Sequence, residues 1–342
     1  MPRAVPATIV LTLLFIALAL AAWHLSFVLL LTFGGVLLAV LFRHLAVALS
    51  RNSPLSTGGA LAVVLVGLAA ILVLAVVLIG PQFMAQLELL VRSLPAGIER
   101  IERALEGRAW GRFLLERVPS NDERPAWNVF GTITGTVSTI GGVIANAVVL
   151  LTVAIFLASD PDLYRRGILH LVPFDKRARV AEVLDTLGMS LWHWLLGQGL
   201  AMAAVAVMSG VGLWLIGVPM ALSLGLIAGL LDFIPYLGPW LGAAPAVLIA
   251  LGQGPTEAIY TALLFLVIQQ LEGNVLMPLI QKRASALPPA FTIVAVIAFG
   301  VLFGFMGVLL ATPLLLMLIV LVRMLYVEDV LGDHDAGPPK ED

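Results

Sequence analysis

The sequence predicts an all-α, polytopic membrane bundle with two re-entrant or discontinuous helical hairpins and a small extramembrane helical segment. Three observations predict it. Apolar residues make up 61% of the 342-residue chain and charged residues only 12%, against roughly 45–50% and about 25% in ordinary globular domains. The charges cluster: fourteen lie in residues 88–124 and ten in residues 160–185, leaving long uncharged stretches between. Those stretches have the length of membrane spans, and Pro/Gly clusters interrupt two of them.

Taken in order, residues 1–81 hold the first three transmembrane spans. Residues 8–22 form an apolar run that reads either as a span or, with Ala19-Leu20-Ala21, as a cleavable leader. Residues 25–42 follow at once and end at Arg43. Arg43, Arg51 and Asn52-Ser53-Pro54 make a polar link. Leu61 to Ile79 carries no charge and would reach ~28 Å as a helix, close to the hydrocarbon thickness. Residues 82–125 then form an extramembrane amphipathic helical segment. Phe83, Leu87, Leu90 and Leu94 recur at helical spacing, as do Ile98, Ile101 and Leu105.

Residues 126–158 read as a long helix entering the membrane. Gly131, Gly135, Ser138 and Gly142 fall three or four apart, which lets helices approach closely in lipid. Intrachain packing and a contact between subunits both fit this face. Residues 159–197 form a cytoplasmic linker, and residues 198–327 the transport region. Within that region, residues 200–216 make a span. Residues 219–231 and 241–251 are half-length helices flanking the break at 232–239. Residues 256–271 cross again. Residues 290–327 would reach ~57 Å as one helix, too long for one crossing. A second hairpin therefore falls near Gly300, Gly304 and Gly307. Residues 328–342 form a disordered acidic tail.

The excess of Lys and Arg sets the orientation. Arg43, Arg51, the 165–179 cluster, Lys282, Arg283 and Arg323 are expected on the cytoplasmic side, with residues 82–125 outside. Net charge is −2, so no basic surface points to nucleic acid. No cysteine is present, which excludes disulfides and thiolate metal sites. No metal or other cofactor is implied, and no Walker, nucleophile-elbow, zinc-protease or dinucleotide signature occurs. The expected class is a non-enzymatic transporter using ion or solute gradients.

Asp232 leads the candidate residues. It is the only charge between Asp185 and Glu257, and it adjoins the Pro/Gly break. A carboxylate at membrane depth is expensive and marks an ion, proton or substrate path. Its alternative role is to satisfy backbone N–H groups freed at the break. Gln269, Gln270, Glu272 and Asn274 form a second polar cluster, with Gln269 and Glu272 on one face by i, i+3 spacing. Gln198, between Gly197 and Gly199, is a third candidate. His193, flanked by Trp192 and Trp194, reads as part of an interfacial aromatic belt.

The stretch D-F-I-P-Y-L-G-P at 232–239, the pattern Q-x-x-E-x-N-x-x-x-P at 269–278 and G-x-x-G-x-x-x-x-x-P at 304–313 occur in this order. Together they resemble the autoinducer-2 exporter family of bacterial inner-membrane permeases, and the resemblance covers nearly the whole chain. It implies a multi-pass, homo-oligomeric permease of the bacterial inner membrane. Some members are linked to export of autoinducer-2 and others to sodium/proton antiport. The implied break is Pro235, Gly238 and Pro239, and the implied polar motif is Glu272, Asn274 and Pro278. Gly304, Gly307 and Pro313 form the implied hairpin hinge. The family pattern at position 232 is not strictly acidic.

L-G-P-W-L-G-A-A-P at 237–245 and M-G-V-L-L-A-T-P at 306–313 both set glycine and proline in an apolar hairpin, as paired broken elements do around a transporter site. The expected mechanism is alternating access around a site between residues 219–251 and 290–327. The expected partners are the lipid bilayer, a small polar solute and H+ or Na+. Two other readings stay open: a sodium/proton antiporter, and a non-transporting membrane scaffold that recruits a partner through residues 82–125.

Overall fold

The computed structural model describes residues 20–21, 23–71, 73–74, 77, 80, 137–278 and 289–333. The amphipathic segment 82–125, Gly131, Gly135, Lys282 and Arg283 lie outside these residues. So does the tail beyond Asp333.

Every regular element among the described residues is helical. In order they are α1 (Ser26–Arg51), α2 (Thr57–Ile71), α3 (Val137–Ser159), α4 (Pro161–His170), α5 (Arg177–Ile216), α6 (Ala221–Leu231), α7 (Gly238–Gln253), α8 (Pro255–Leu271), α9 (Pro289–Leu309) and α10 (Ala311–Val322). Two π-helical segments extend α8 and α10, at Glu272–Leu276 and Arg323–Glu328. Among the described residues, five helices are long and apolar enough to cross a membrane, or six if the bent α3–α4 pair counts as one span. Lipid has no hydrogen bonds to offer the backbone, so an uncharged chain at that depth closes its own as helix.

The chain forms two compact units: residues 1–65, 148–199 and 279–342, and residues 66–147 and 200–278. In the first unit, Leu30, Leu37, Val183, Leu191, Leu310, Leu316, Val320 and Met324 make a common buried core. Gly34 and Gly35 of α1 lie against Leu150 and Val153 of α3. Trp192 stacks on His44, ring centroids 4.4 Å apart, while His193 beside it is exposed. The half of α5 in this unit is tied to the chain end by Arg179. Its guanidinium donates to Glu182 at 2.8 Å, to Glu328 at 2.8 Å and to the Met324 carbonyl at 2.9 Å, and it pairs with Asp329 at 2.9 Å. Arg179 and Arg323 thus both pair with Glu328 at one end of this unit. Arg179→Ala should lower the detergent melting temperature by a few degrees, with Arg179→Lys recovering only part. An ammonium cannot reproduce the guanidinium's planar fork of donors.

The second unit is built from the remainder of α5 with α6, α7 and α8, around Val205, Leu213, Leu224, Ala228, Ala246, Ala250, Phe265 and Ile268. Small residues allow backbones to touch here. A Cβ on Gly225 of α6 would lie 2.6 Å from the Gly210 Cα of α5, and one on Gly242 of α7 would lie 2.8 Å from the Ala228 Cα of α6.

Two boundaries differ from the sequence expectation. Helix α1 does not stop at residue 42 but runs through Arg43 to Arg51, because basic residues at a helix C-terminus favour continuing it. The segment 159–197 is not a separate linker. α5 is continuous from Arg177 through residues 197 and 198 to Ile216, its charged first turns being satisfied by the Arg179 cluster. The second hairpin does occur. Gly304, with φ 65° and ψ −148°, reverses the chain inside α9. Gly307 then returns against the Phe299 carbonyl, and a Cβ on Gly300 would meet Val308 at 2.9 Å. Pro313 is buried in the first turn of α10.

Candidate functional site

The break at 232–239 lies wholly within the second unit. α6 ends at Leu231 because the chain must turn before Pro235, which has no N–H to continue a helix. The turn is tight. The Asp232 N–H donates to the Ala228 carbonyl at 3.0 Å and the Ile234 N–H to the Leu231 carbonyl at 2.9 Å. The Leu237 N–H donates back to the Pro235 carbonyl at 2.7 Å, around Tyr236 at φ 62°. A two-residue hydrogen bond closed over a positive φ is a γ-turn of the rare, strained hand. Strain of this kind gathers at functional sites. α7 starts at Gly238, with Pro239 in its first turn. Gly238 packs on the Leu231 carbonyl, and a Cβ there would also lie 2.8 Å from the Asp232 Cα.

Asp232 is 5% exposed and Glu272 7% exposed. They are the two acidic side chains buried among the described residues. They are also within Coulombic reach of each other, although 40 positions separate them in sequence. Asp232 holds the C-cap position of α6. That end presents orphan carbonyls rather than N–H groups. Glu272 opens the π segment that follows α8. Bulges of this type recur at functional sites because they re-aim side chains that a regular helix would place elsewhere.

The rest of the polar motif faces differently. Gln269, Gln270 and Asn274 are exposed, and the Asn274 amide donates to the Gln270 side chain at 3.1 Å. Gln269 is thus exposed while Glu272 is buried: the buried stripe runs through Ile268, four residues before Glu272, and Gln269 lies about 100° further round the helix. Pro278 is helical and exposed, the last described residue of the same stretch. Gln198 lies in the first unit, as do Gly304, Gly307 and Pro313. Two residues escaped the sequence reading. Ser209 and Thr261 are fully buried in the second unit, and their hydroxyls have no hydrogen-bond partner in the structure. Small hydroxyls in apolar runs give no periodic signal.

Among the described residues no group of three or more His, Asp or Glu side chains is placed to hold a metal. The site is a buried carboxyl pair beside a strained break, within a bundle whose outer surface is apolar. Such a pair can exchange protons or hold one small cation.

The profile of the AI-2E family transporter matches residues 9–326. The chain belongs to that family. Relatives within it are named as transport proteins with no substrate given. YrrI of Bacillus subtilis is 33% identical over 54% of this chain and 53% of its own length. YueF of the same organism is 27% identical over 69% of this chain and 68% of its own length. MT0215 of Mycobacterium tuberculosis is 31% identical over 80% of this chain and 79% of its own. A member of a transporter family with five or six apolar helices of membrane-crossing length among its described residues is a multi-pass membrane protein. The resemblance read from the motifs at 232–239, 269–278 and 304–313 is thus established across nearly the whole chain.

Proposed function

We propose that the protein is a secondary transporter of the bacterial inner membrane, moving a small polar solute of the autoinducer-2 type by gradient-driven alternating access. The observation carrying this reading is that the second unit buries two carboxyl side chains, Asp232 at the α6–α7 break and Glu272 at the start of the π segment after α8. Two carboxyl groups buried inside an apolar bundle are costly unless they are protonated or paired with a cation. A proton or cation that must accompany the pair is the physical basis for coupling a gradient to movement of the break. Assembly as a homo-oligomer belongs to the same reading.

The same pair favours one second reading, a sodium/proton antiporter, in which the sodium ion is itself the cargo. Proteoliposomes under imposed gradients separate the two. The solute transporter moves labelled autoinducer-2 under a pH gradient and leaves lumenal pH indifferent to added sodium. The antiporter changes lumenal pH on sodium addition with no organic solute present. A scaffold would do neither, and that result would defeat both.

A further inference from the structure

Helix α4 has no place in that scheme, yet its surroundings are unusual. α3 contains no charged residue over its 23 positions, a rise of ~34 Å, enough to cross the ~30 Å hydrocarbon layer unaided. At Ser159 the chain turns sharply. The Asp160 carboxylate accepts the Leu163 N–H at 3.1 Å, Pro161 fills the first helical position, and α4 leaves at 86° to α3. A helix at right angles to a membrane-crossing one runs along the membrane plane. Asp162, Arg165 and Arg166 keep it out of the hydrocarbon centre, so it lies at the interface where α3 emerges.

Its faces are sorted accordingly. Pro161, Arg165 and Leu169, four apart, are partly covered, and Arg165 pairs with Asp185 of α5 at 2.6 Å. Tyr164, Ile168 and Leu171, spaced by four and three, are 38%, 46% and 87% exposed, and Phe174 beyond them is 84% exposed. Asp162, Arg166 and His170, again four apart, occupy the opposite side. Arg177 is engaged, donating to the Val172 carbonyl at 3.1 Å and lying over the Phe174 ring. Arg166 and Lys176 have no acidic partner among the described residues.

We infer that α4 is an interfacial anchor, with Tyr164, Ile168, Leu171 and Phe174 seated among the lipid acyl chains of that leaflet and Arg166 and Lys176 on anionic headgroups. Amphipathic helices in this position sink their apolar face by ~5–10 Å into the headgroup boundary. The exposed stripe is then covered by lipid, and the two unpartnered cations meet phosphate. The inference does not depend on which solute crosses the membrane.

The chain has no cysteine, so single labels are clean. Asp162→Cys, Ile168→Cys and Leu171→Cys would each carry a nitroxide in the full-length protein, in nanodiscs of phosphatidylcholine with a minority of phosphatidylglycerol. All three positions are exposed, so the variants should fold. Labels at 168 and 171 should collide preferentially with oxygen, and the label at 162 with a water-soluble nickel chelate. Equal nickel access at all three positions would overturn the anchor. Protection of 168 and 171 from both reagents would overturn it too, showing a second copy or another protein on the stripe. The Arg166→Gln/Lys176→Gln variant should lose preference for co-purified phosphatidylglycerol over phosphatidylcholine, on the order of fivefold per charge removed. An unchanged preference would refute the headgroup contact.

Discussion

Asp232→Asn should fold and assemble normally, yet leave proteoliposome flux at the level of protein-free liposomes, with or without a pH gradient. The Asn side chain keeps the shape and most of the hydrogen bonding while removing the titratable charge. Stability should not fall. Asp232 occupies the C-cap of α6, where the helix dipole is negative and a carboxylate gains nothing from it. An amide can donate to the orphan carbonyls at that end, so Asn should be at least as stable there. Glu272→Gln should also lower flux, since Glu272 is the second carboxyl group buried in this unit. Asp232→Ala separates the alternatives further. If the carboxylate only completes the packing and polar contacts of the break, Ala lowers stability and Asn transports like wild type. Full, gradient-responsive flux through Asp232→Asn would end the coupling role.

The largest structural effect is expected at Gly225. Its Cβ position is 2.5 Å from the Gly210 amide nitrogen and 2.7 Å from the Ala206 carbonyl oxygen, all backbone atoms of α5 that cannot rotate aside. Between helices in lipid, contact of this kind supplies much of the attraction, because there is no water to expel. Gly225→Ala should cost about 1–3 kcal/mol as overpacking. Gly225→Leu should yield no monodisperse protein on size exclusion in detergent. Gly188 lies on the same helix α5 with nothing within 4 Å of its Cβ position, and Gly188→Ala should leave the melting temperature unchanged or slightly higher. Equal behaviour of the Gly225 and Gly188 variants would show that α5 and α6 do not touch at this point.

Much of this architecture was legible in the residues. Pro235, Gly238 and Pro239 interrupt an apolar run whose halves are too short to cross alone, which fixes a break and its place. Asp232 was conspicuous because no other charge is near it in sequence. The reversal in α9 followed from length, since a 38-residue apolar run exceeds a bilayer. What the sequence hid depends on contacts distant along the chain. Nothing at position 177 announces that α5 begins there, because the charges that read as a linker are neutralised by residues 328 and 329. The pairing of Asp232 with Glu272 is invisible until α6, α7 and α8 fold back on one another. The strained hand of the turn at Tyr236 was hidden too, because tyrosine is not a residue that advertises positive φ.

The π turn at Glu272–Leu276 has a consequence for how this stretch tolerates changes in length. A π-wound segment holds one residue more than the α-helix it replaces, so it behaves as an insertion absorbed without a loop. Deleting a single residue there, Val275 for instance, would let the helix close with ordinary i→i−4 bonds while the turns on either side keep their relative bearing, whereas the same deletion in a regular α-helix would rotate one side by ~100°. A deletion of the kind that only surface loops usually accept would, at this one place inside a helix, be absorbed.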